Sequence, residues 1–313
     1  MALRTDEIAV SGPDLGEAIE DYQLALHAAG RSKNTQAVYT LALTYLDRYL
    51  FEQGMPRHLS SIRREHIEAW LGALRDAGKS PATVSVYYRS VKSFWRWAVD
   101  EGFVKESPMA RMAPPLVPEK SPAILSEQQL RALLKACAGT RFEDVRDTAI
   151  VRMFLSTPAR RAELAGLRLE DVTINARQGF GTMTVLGKGN RWRTMPFPAK
   201  AALALTRYMR ARKAHSMAET TDRLWLGYRG PLTGDGIMQM LQRRAVTAGI
   251  GKLHPHMFRH LFAHRWQSAK GNEADLQRLA GWRSPAMLRR YAASAADERA
   301  MQSALDMALG DEL

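Results

Sequence analysis

The sequence predicts a mainly α-helical protein of two domains, the second carrying a small β-hairpin, and three observations predict it. Apolar residues recur at helical spacing in four successive stretches of the first hundred residues. Residues 112–125 then hold four prolines and no periodicity. Beyond them helical patterns resume, broken once by FGTMTVLGKGNRWRTMPF, which alternates on either side of a Gly187-Lys188-Gly189-Asn190 turn as a hairpin does.

The elements follow in order. Residues 1–13 read as a flexible N-terminus and 14–111 as a helical domain. Asp14 caps a first helix carrying Leu15, Ile19 and Tyr22. Ser32 or Asn34 starts a second, with Val38, Leu41, Ala42, Tyr45, Leu46, Tyr49 and Leu50 on one face. Ile67, Trp70, Leu71 and Leu74 mark a third. Ser80-Pro81 opens a fourth, with Val84, Tyr87, Val91, Phe94, Trp95 and Ala98 turned inward. Residues 112–121 form a proline-rich linker, and 122–313 a second domain ending in a tail helix. Ser126 and Gln129 make a capping box for a helix over about 126–137, and a further helix spans about 144–156. Thr233 caps a helix through Leu241, and Pro285 starts the one that carries Tyr291.

Composition narrows the function classes. Lys plus Arg number 45 against 32 Asp plus Glu, a formal net charge of +13. A surplus of that size favours a polyanionic partner, because neutralised phosphates release condensed counterions. A single cysteine, Cys137, excludes an intramolecular disulfide and any Cys-cluster zinc site. Its apolar helical setting makes it a buried thiol rather than a nucleophile. No apolar run reaches the ~18–20 residues of a membrane span, and no leader is visible, so a soluble, cytoplasmic protein is expected.

Metal-free phosphodiester chemistry needs cations for the developing phosphorane charge, proton donors and acceptors, and a nucleophile. The second domain offers a set in four places. Arg160 and Arg161 follow a break at Thr157-Pro158, with Glu163 three residues after Arg160; a guanidinium fork matches two phosphate oxygens. Lys188 stands between glycines at the hairpin tip. His256 and Arg259, three apart, share a helix face in HPHMFRHLFAHRW. Trp282 lies in a turn before Ser284-Pro285, and Tyr291 follows nine residues after Trp282. Each place alone has an ordinary reading: a surface ion pair, a solvated lysine, a helical aromatic. A zinc site is a further reading, because His256, His260 and His264 are spaced four apart. It is set aside because no glutamate stands in the H-E-x-x-H position, so neither metal nor cofactor is expected.

In this order the four places resemble the catalytic domain of the tyrosine recombinases, the phage integrases and Xer-type recombinases. Their pattern of Arg, Lys, His-x-x-Arg, His or Trp, and Tyr lands on Arg160, Lys188, His256 with Arg259, Trp282 and Tyr291. The helical first domain is similar to the family's core-binding, SAM-like domain. The resemblance implies a two-domain clamp on double-stranded DNA at a specific core site. Tyr291 would attack the scissile phosphate to leave a 3′-phosphotyrosine and a free 5′-hydroxyl. Arg160 and Arg259 would clamp the non-bridging oxygens and Trp282 add its indole N–H. Lys188 would be the general acid and His256 the base-side partner of the tyrosine, with Glu163 and His260 supporting them. Rejoining would need neither ATP nor metal, and the outcome would be integration, excision or dimer resolution.

The resemblance further implies a homotetramer on DNA, with a tail carrying Ala296, Ala300, Leu305 and Leu309 docked on a neighbouring protomer. Packing on its own domain stays the alternative. A directionality factor, a nucleoid-associated place in a bacterial or phage-encoded system, and a compact organisation without a separate arm-binding domain are also implied. Two departures stand out: proline replaces the family's usual glycine at position 158, and tryptophan its commoner histidine at 282. Two other readings stay open at this level. One is a type IB topoisomerase-like enzyme; the other is a DNA-binding protein that keeps the fold and no longer cuts.

Overall fold

The structure, a computed structural model, describes residues 12–118, 124–187, 191–282, 300–301 and 303–308. The chain divides into two compact units, Met1–Glu119 and Lys120–Leu313. It is mainly helical with small antiparallel sheets, the fold class its residue pattern predicts.

The first unit packs α1 (Leu15–Ala28), α2 (Lys33–Glu52), α3 (Arg64–Asp76) and α4 (Pro81–Asp100) around one core. Each start has a local cause. Asp14 accepts from the Gly16 amide at 2.9 Å while Glu17 closes back on the Asp14 amide at 3.2 Å. Ser32 and Ser80 each accept from the amide three residues on, at 3.2 Å. Arg57 forks onto Asp47 at 2.8 and 3.0 Å and also reaches Asp14, tying the chain after α2 to the cap of α1. The buried face of α2 differs from expectation. Ala42, Leu43, Leu46 and Leu50 are buried, whereas Leu41 is 46% exposed. Residues 41 and 43 lie about 200° apart around a helix. Half-buried Tyr45 and Tyr49 border the contact and widen the apparent apolar arc past it. Tyr22 meets Phe94 edge-on at 5.4 Å, joining α1 to α4. The Tyr88 hydroxyl donates to the Met112 carbonyl at 2.5 Å, fixing the chain as it enters the proline-rich stretch.

The second unit begins with α5 (Glu127–Ala136), opened by the Ser126–Gln129 capping box, and α6 (Phe142–Ser156). After α7 (Arg161–Gly166) come β1 (Val172–Asn175), β2 (Phe180–Gly187) and β3 (Arg191–Pro198). They form one antiparallel sheet in that order, with Gly187 opposite Arg191 and Val185 opposite Arg193. Next follow α8 (Ala199–Lys213), a two-stranded ribbon of β4 (Leu226–Gly227) and β5 (Gly230–Pro231), α9 (Gly234–Thr247), α10 (Pro255–Ser268) and α11 (Glu273–Ala280).

One core joins α5, α6, β2, β3, α8, α9 and α10. Cys137 lies fully inside it, and burial pushes its thiol up to about 12. Beside it Arg244 of α9 donates to Asp147 at 2.9 Å, to Asp144 at 2.8 Å and to the Ala136 carbonyl at 2.8 Å. Arg146 forks onto Asp147 at 2.9 and 2.8 Å and donates to the Leu226 carbonyl at 3.0 Å. These bonds fasten α5, α6, α9 and β4 together. Near the C-terminus residues 300–301 and 303–307 are helical, with Met301, Leu305 and Met307 exposed. No helix among the described residues is long and apolar enough to cross a membrane.

Candidate active site

The segment between α6 and α7 presents Arg160. Thr157 leaves α6 in extended conformation, its hydroxyl turned back to the Met153 carbonyl at 2.7 Å. Pro158 and Ala159 are buried. Arg160 then caps α7 with its own backbone, its amide donating to Glu163 Oε2 at 2.7 Å. Six residues cannot hold a helix alone. Buried Leu164 anchors α7, the Trp225 indole N–H donates to the Leu164 carbonyl at 2.8 Å, and Arg223 donates to the Gly166 carbonyl at 2.6 Å.

The Arg160 side chain donates to Glu163 Oε1 at 2.8 Å and to the Gly281 carbonyl at 3.3 Å, and it keeps 35% exposure. Glu163, by contrast, is 6% exposed and holds a second arginine. Arg193 of β3 forks onto both its oxygens at 2.9 and 2.7 Å and sends Nε–H to the Leu279 carbonyl at 2.9 Å. Burial pushes the Glu163 carboxyl up, but the Arg193 fork, the Arg160 amide and the Arg160 side chain outweigh it. The group is held below its ordinary value, ionised between two cations.

The turn after α11 closes the site. Gly281 adopts φ 63°, its amide bonds back to the Arg278 carbonyl at 3.2 Å, and the Trp282 amide bonds to the Gln277 carbonyl at 3.0 Å. This glycine-terminated helix end folds Trp282 onto Ala263, Leu276 and Ala280, leaving it 6% exposed. A Cβ at Gly281 would also stand 3.2 Å from Arg193 Nη1. The left-handed conformation is what favours glycine here, and a methyl would in addition crowd the arginine.

Arg259 of α10 is almost wholly buried. It donates to the Pro158 carbonyl and, at 2.5 Å, to the Ala280 carbonyl, with its guanidinium 5.1 Å from the centre of the Trp282 ring. The fold thus uses the carbonyl of residue 158, a group that proline keeps. Three residues earlier, exposed His256 meets the His260 ring edge-on at 4.9 Å.

The structure brings Arg160, Glu163, Arg259 and Trp282 together through the Pro158, Ala280 and Gly281 carbonyls. Lys188 and Tyr291 lie outside the described residues, as do Pro285 and much of the tail. A cavity of about 690 Å³ opens over Arg160, with Arg191, Arg193, Arg278, Trp192 and Trp282 among its walls. Four arginines line it and none of its described lining residues is acidic. Arg193 goes unread in the sequence, although alternation could have flagged it: it shares a strand face with buried Met195 and Phe197, where an arginine demands a carboxylate. In the first unit a separate groove of about 590 Å³ is lined by Arg89, Lys92, Arg96 and Lys105, with Glu106 the one acidic group there.

The cleft sets four arginines against no acidic group among its described walls, a setting that favours an anion. Residues 123–298 match the phage integrase family, and residues 19–102 match the phage integrase N-terminal SAM-like domain. The chain is 33% identical over 268 residues to the tyrosine recombinase XerC of Corynebacterium efficiens, covering 85% of this chain and 83% of that one. It belongs to the phage integrase family, the tyrosine-type site-specific recombinases.

Solved structures share the fold, two of them in complex with DNA. One is the XerH site-specific recombinase bound to palindromic difH substrate in a post-cleavage complex. It has a TM-score of 0.72 and 18% identity, over 91% of this chain and 83% of that one. The other is a lambda integrase tetramer bound to a Holliday junction, with a TM-score of 0.67 and 16% identity, over 88% and 79%.

Proposed function

We propose that this recombinase cuts duplex DNA at a specific core site with Tyr291 and holds the broken end as a 3′-phosphotyrosine ester. The observation that carries the reading is the arginine-lined cavity beside Trp282, with no acidic group among its described walls. Such a pocket favours a phosphate and strengthens as charge grows on the phosphorane. Arg160 and Arg259 hold the non-bridging oxygens, and Trp282 adds its indole N–H. Lys188 protonates the leaving 5′-oxygen and His256 takes the tyrosine proton, with His260 beside it. The ester conserves the bond energy, so rejoining to a new 5′-hydroxyl consumes no ATP.

The two units act as a clamp on the duplex, and the cationic groove of Arg89, Lys92, Arg96 and Lys105 meets phosphates from the first unit. Four copies assemble on DNA through the C-terminal tail, whose exposed Met301, Leu305 and Met307 suit an apolar seat on a neighbour. The setting is the bacterial cytoplasm, and the product is integration, excision or dimer resolution, with a directionality factor where the direction must be biased.

The test begins with a duplex that the protein itself selects from a random-sequence library, nicked so that the cleaved short strand diffuses away. A covalent protein–DNA adduct on a denaturing gel is expected for the native chain and none for Tyr291→Phe. An adduct that survives Tyr291→Phe, or none with the native chain, overturns the assignment.

A further inference from the structure

We propose that Arg193 is a positioning residue for strand cleavage, acting through Glu163 to keep the Arg160 guanidinium turned toward the phosphate. The inference rests on the function proposed above and extends it to a residue outside the family pattern that this sequence carries. Arg193 binds both oxygens of Glu163, at 2.9 and 2.7 Å, and Glu163 Oε1 is the atom to which Arg160 donates at 2.8 Å. The third arm of the same guanidinium holds the Leu279 carbonyl at 2.9 Å, two residues before the carbonyl of Gly281 that Arg160 also touches. One side chain thus joins the hairpin strand, the cap of α7 and the turn that seats Trp282.

The space around Arg193 is cleared for it. A Cβ at Gly187 would lie 2.7 Å from Nη1, and one at Gly281 would lie 3.2 Å away. Glycines on two separate elements therefore lie directly against the guanidinium. The consequence for Arg160 is electrostatic. While Arg193 occupies both carboxylate oxygens, Arg160 shares only one of them through its side chain and keeps part of its fork toward the cavity. Without Arg193, the buried carboxylate has one cation left and draws the whole Arg160 fork onto itself. Phosphate would then meet a neutralised pair, and the loss would appear in the rate of bond breaking more than in DNA affinity, which many contacts along the duplex share.

The experiment uses the full chain and the nicked duplex described above, in single-turnover cleavage and in equilibrium binding. Arg193→Gln is expected to slow adduct formation by roughly tenfold to hundredfold, in the range a small misplacement of a catalytic group produces, with binding within about threefold of native. Arg193→Lys keeps the charge but not the fork, so it should recover only part of the rate. The deciding measurement is the pair with Glu163→Gln. If Arg193 acts through Glu163, adding Arg193→Gln to Glu163→Gln slows cleavage no further. A native rate in Arg193→Gln, an undiminished loss in the Glu163→Gln background, or a loss matched in binding overturns the proposal. Should Arg193→Gln fail to fold, Arg193→Lys carries the same comparison. Absence of any adduct with the native chain instead strikes the function itself, and this proposal with it.

Discussion

The second unit contains two arginine–carboxylate clusters, and they are built to opposite ends. Around Asp144 and Asp147, the described bonds of Arg146 and Arg244 run to carboxylates and to the Leu226 and Ala136 carbonyls, and both aspartate side chains are under 10% exposed. Around Glu163 the carboxylate is equally hidden, but Arg160 keeps a third of its surface open to a cavity lined by further arginines. In the first cluster Arg146 and Arg244 are largely buried against the two aspartates, and exposed Arg141 adds a third guanidinium to Asp144 from the surface. The second has one carboxylate under two guanidiniums and a surplus positive charge facing outward. A buried ion pair is weak evidence for a role; the part of it left open to solvent is stronger.

The largest expected effect breaks this comparison at its poles. Arg160→Ala should lower single-turnover cleavage by about 10²–10³ while leaving the urea midpoint near native, since the α7 cap is made by its backbone amide. Arg244→Met should do the reverse. Asp144 keeps Arg141 and Asp147 keeps Arg146, so the cost in urea unfolding should be about 1.5–3 kcal/mol for the lost charged hydrogen bonds, with cleavage per folded molecule unchanged. Equal loss of rate and stability in both variants would mean that the two clusters do not differ in kind.

Acidification gives a smaller and more graded contrast. The Arg141 and Arg244 bonds hold the Asp144 carboxyl below its ordinary value, and the balance described above does the same for Glu163. Both groups therefore stabilise the fold above their unfolded values, near 3.8 and 4.5, and lose that contribution as pH falls through the lower folded values. Asp144→Asn and Glu163→Gln should each flatten the fall of stability below about pH 5. Only Glu163→Gln should also slow cleavage at neutral pH, which unfolding curves and adduct assays on the same samples would separate. The smallest effect belongs to Gly281→Ala, expected to cost about 1–2 kcal/mol from the left-handed backbone. A moderate drop in cleavage should accompany it, because the new methyl presses on Arg193.

What the sequence made legible was mostly local. Asp14, Ser32, Ser80, Ser126 and Thr233 all accept the backbone N–H that their positions imply, because a cap is decided within three residues. The hairpin follows from alternation around a glycine-flanked turn. β1 went unread because four residues of VTIN are too short for alternation to speak. Leu41 reads as inward-facing in the sequence, although it is exposed, because tyrosines at the border of a contact look as apolar as residues within it. In the site, Arg160 and Glu163 meet at a spacing of three, as their order suggests, and Trp282 is brought to the same cleft. Arg193 lies 30 residues from its carboxylate, and such a pairing needs the fold before it can be seen.

The double use of position 160 has an evolutionary consequence. The backbone amide starts α7 and the side chain meets the cleft, so the two tasks sit on one residue without depending on each other. A substitution that keeps the backbone N–H keeps the start of α7. A lineage could therefore lose strand cleavage in a single step and keep an intact DNA-binding scaffold, free for selection to reuse as a silent occupant of the same sites.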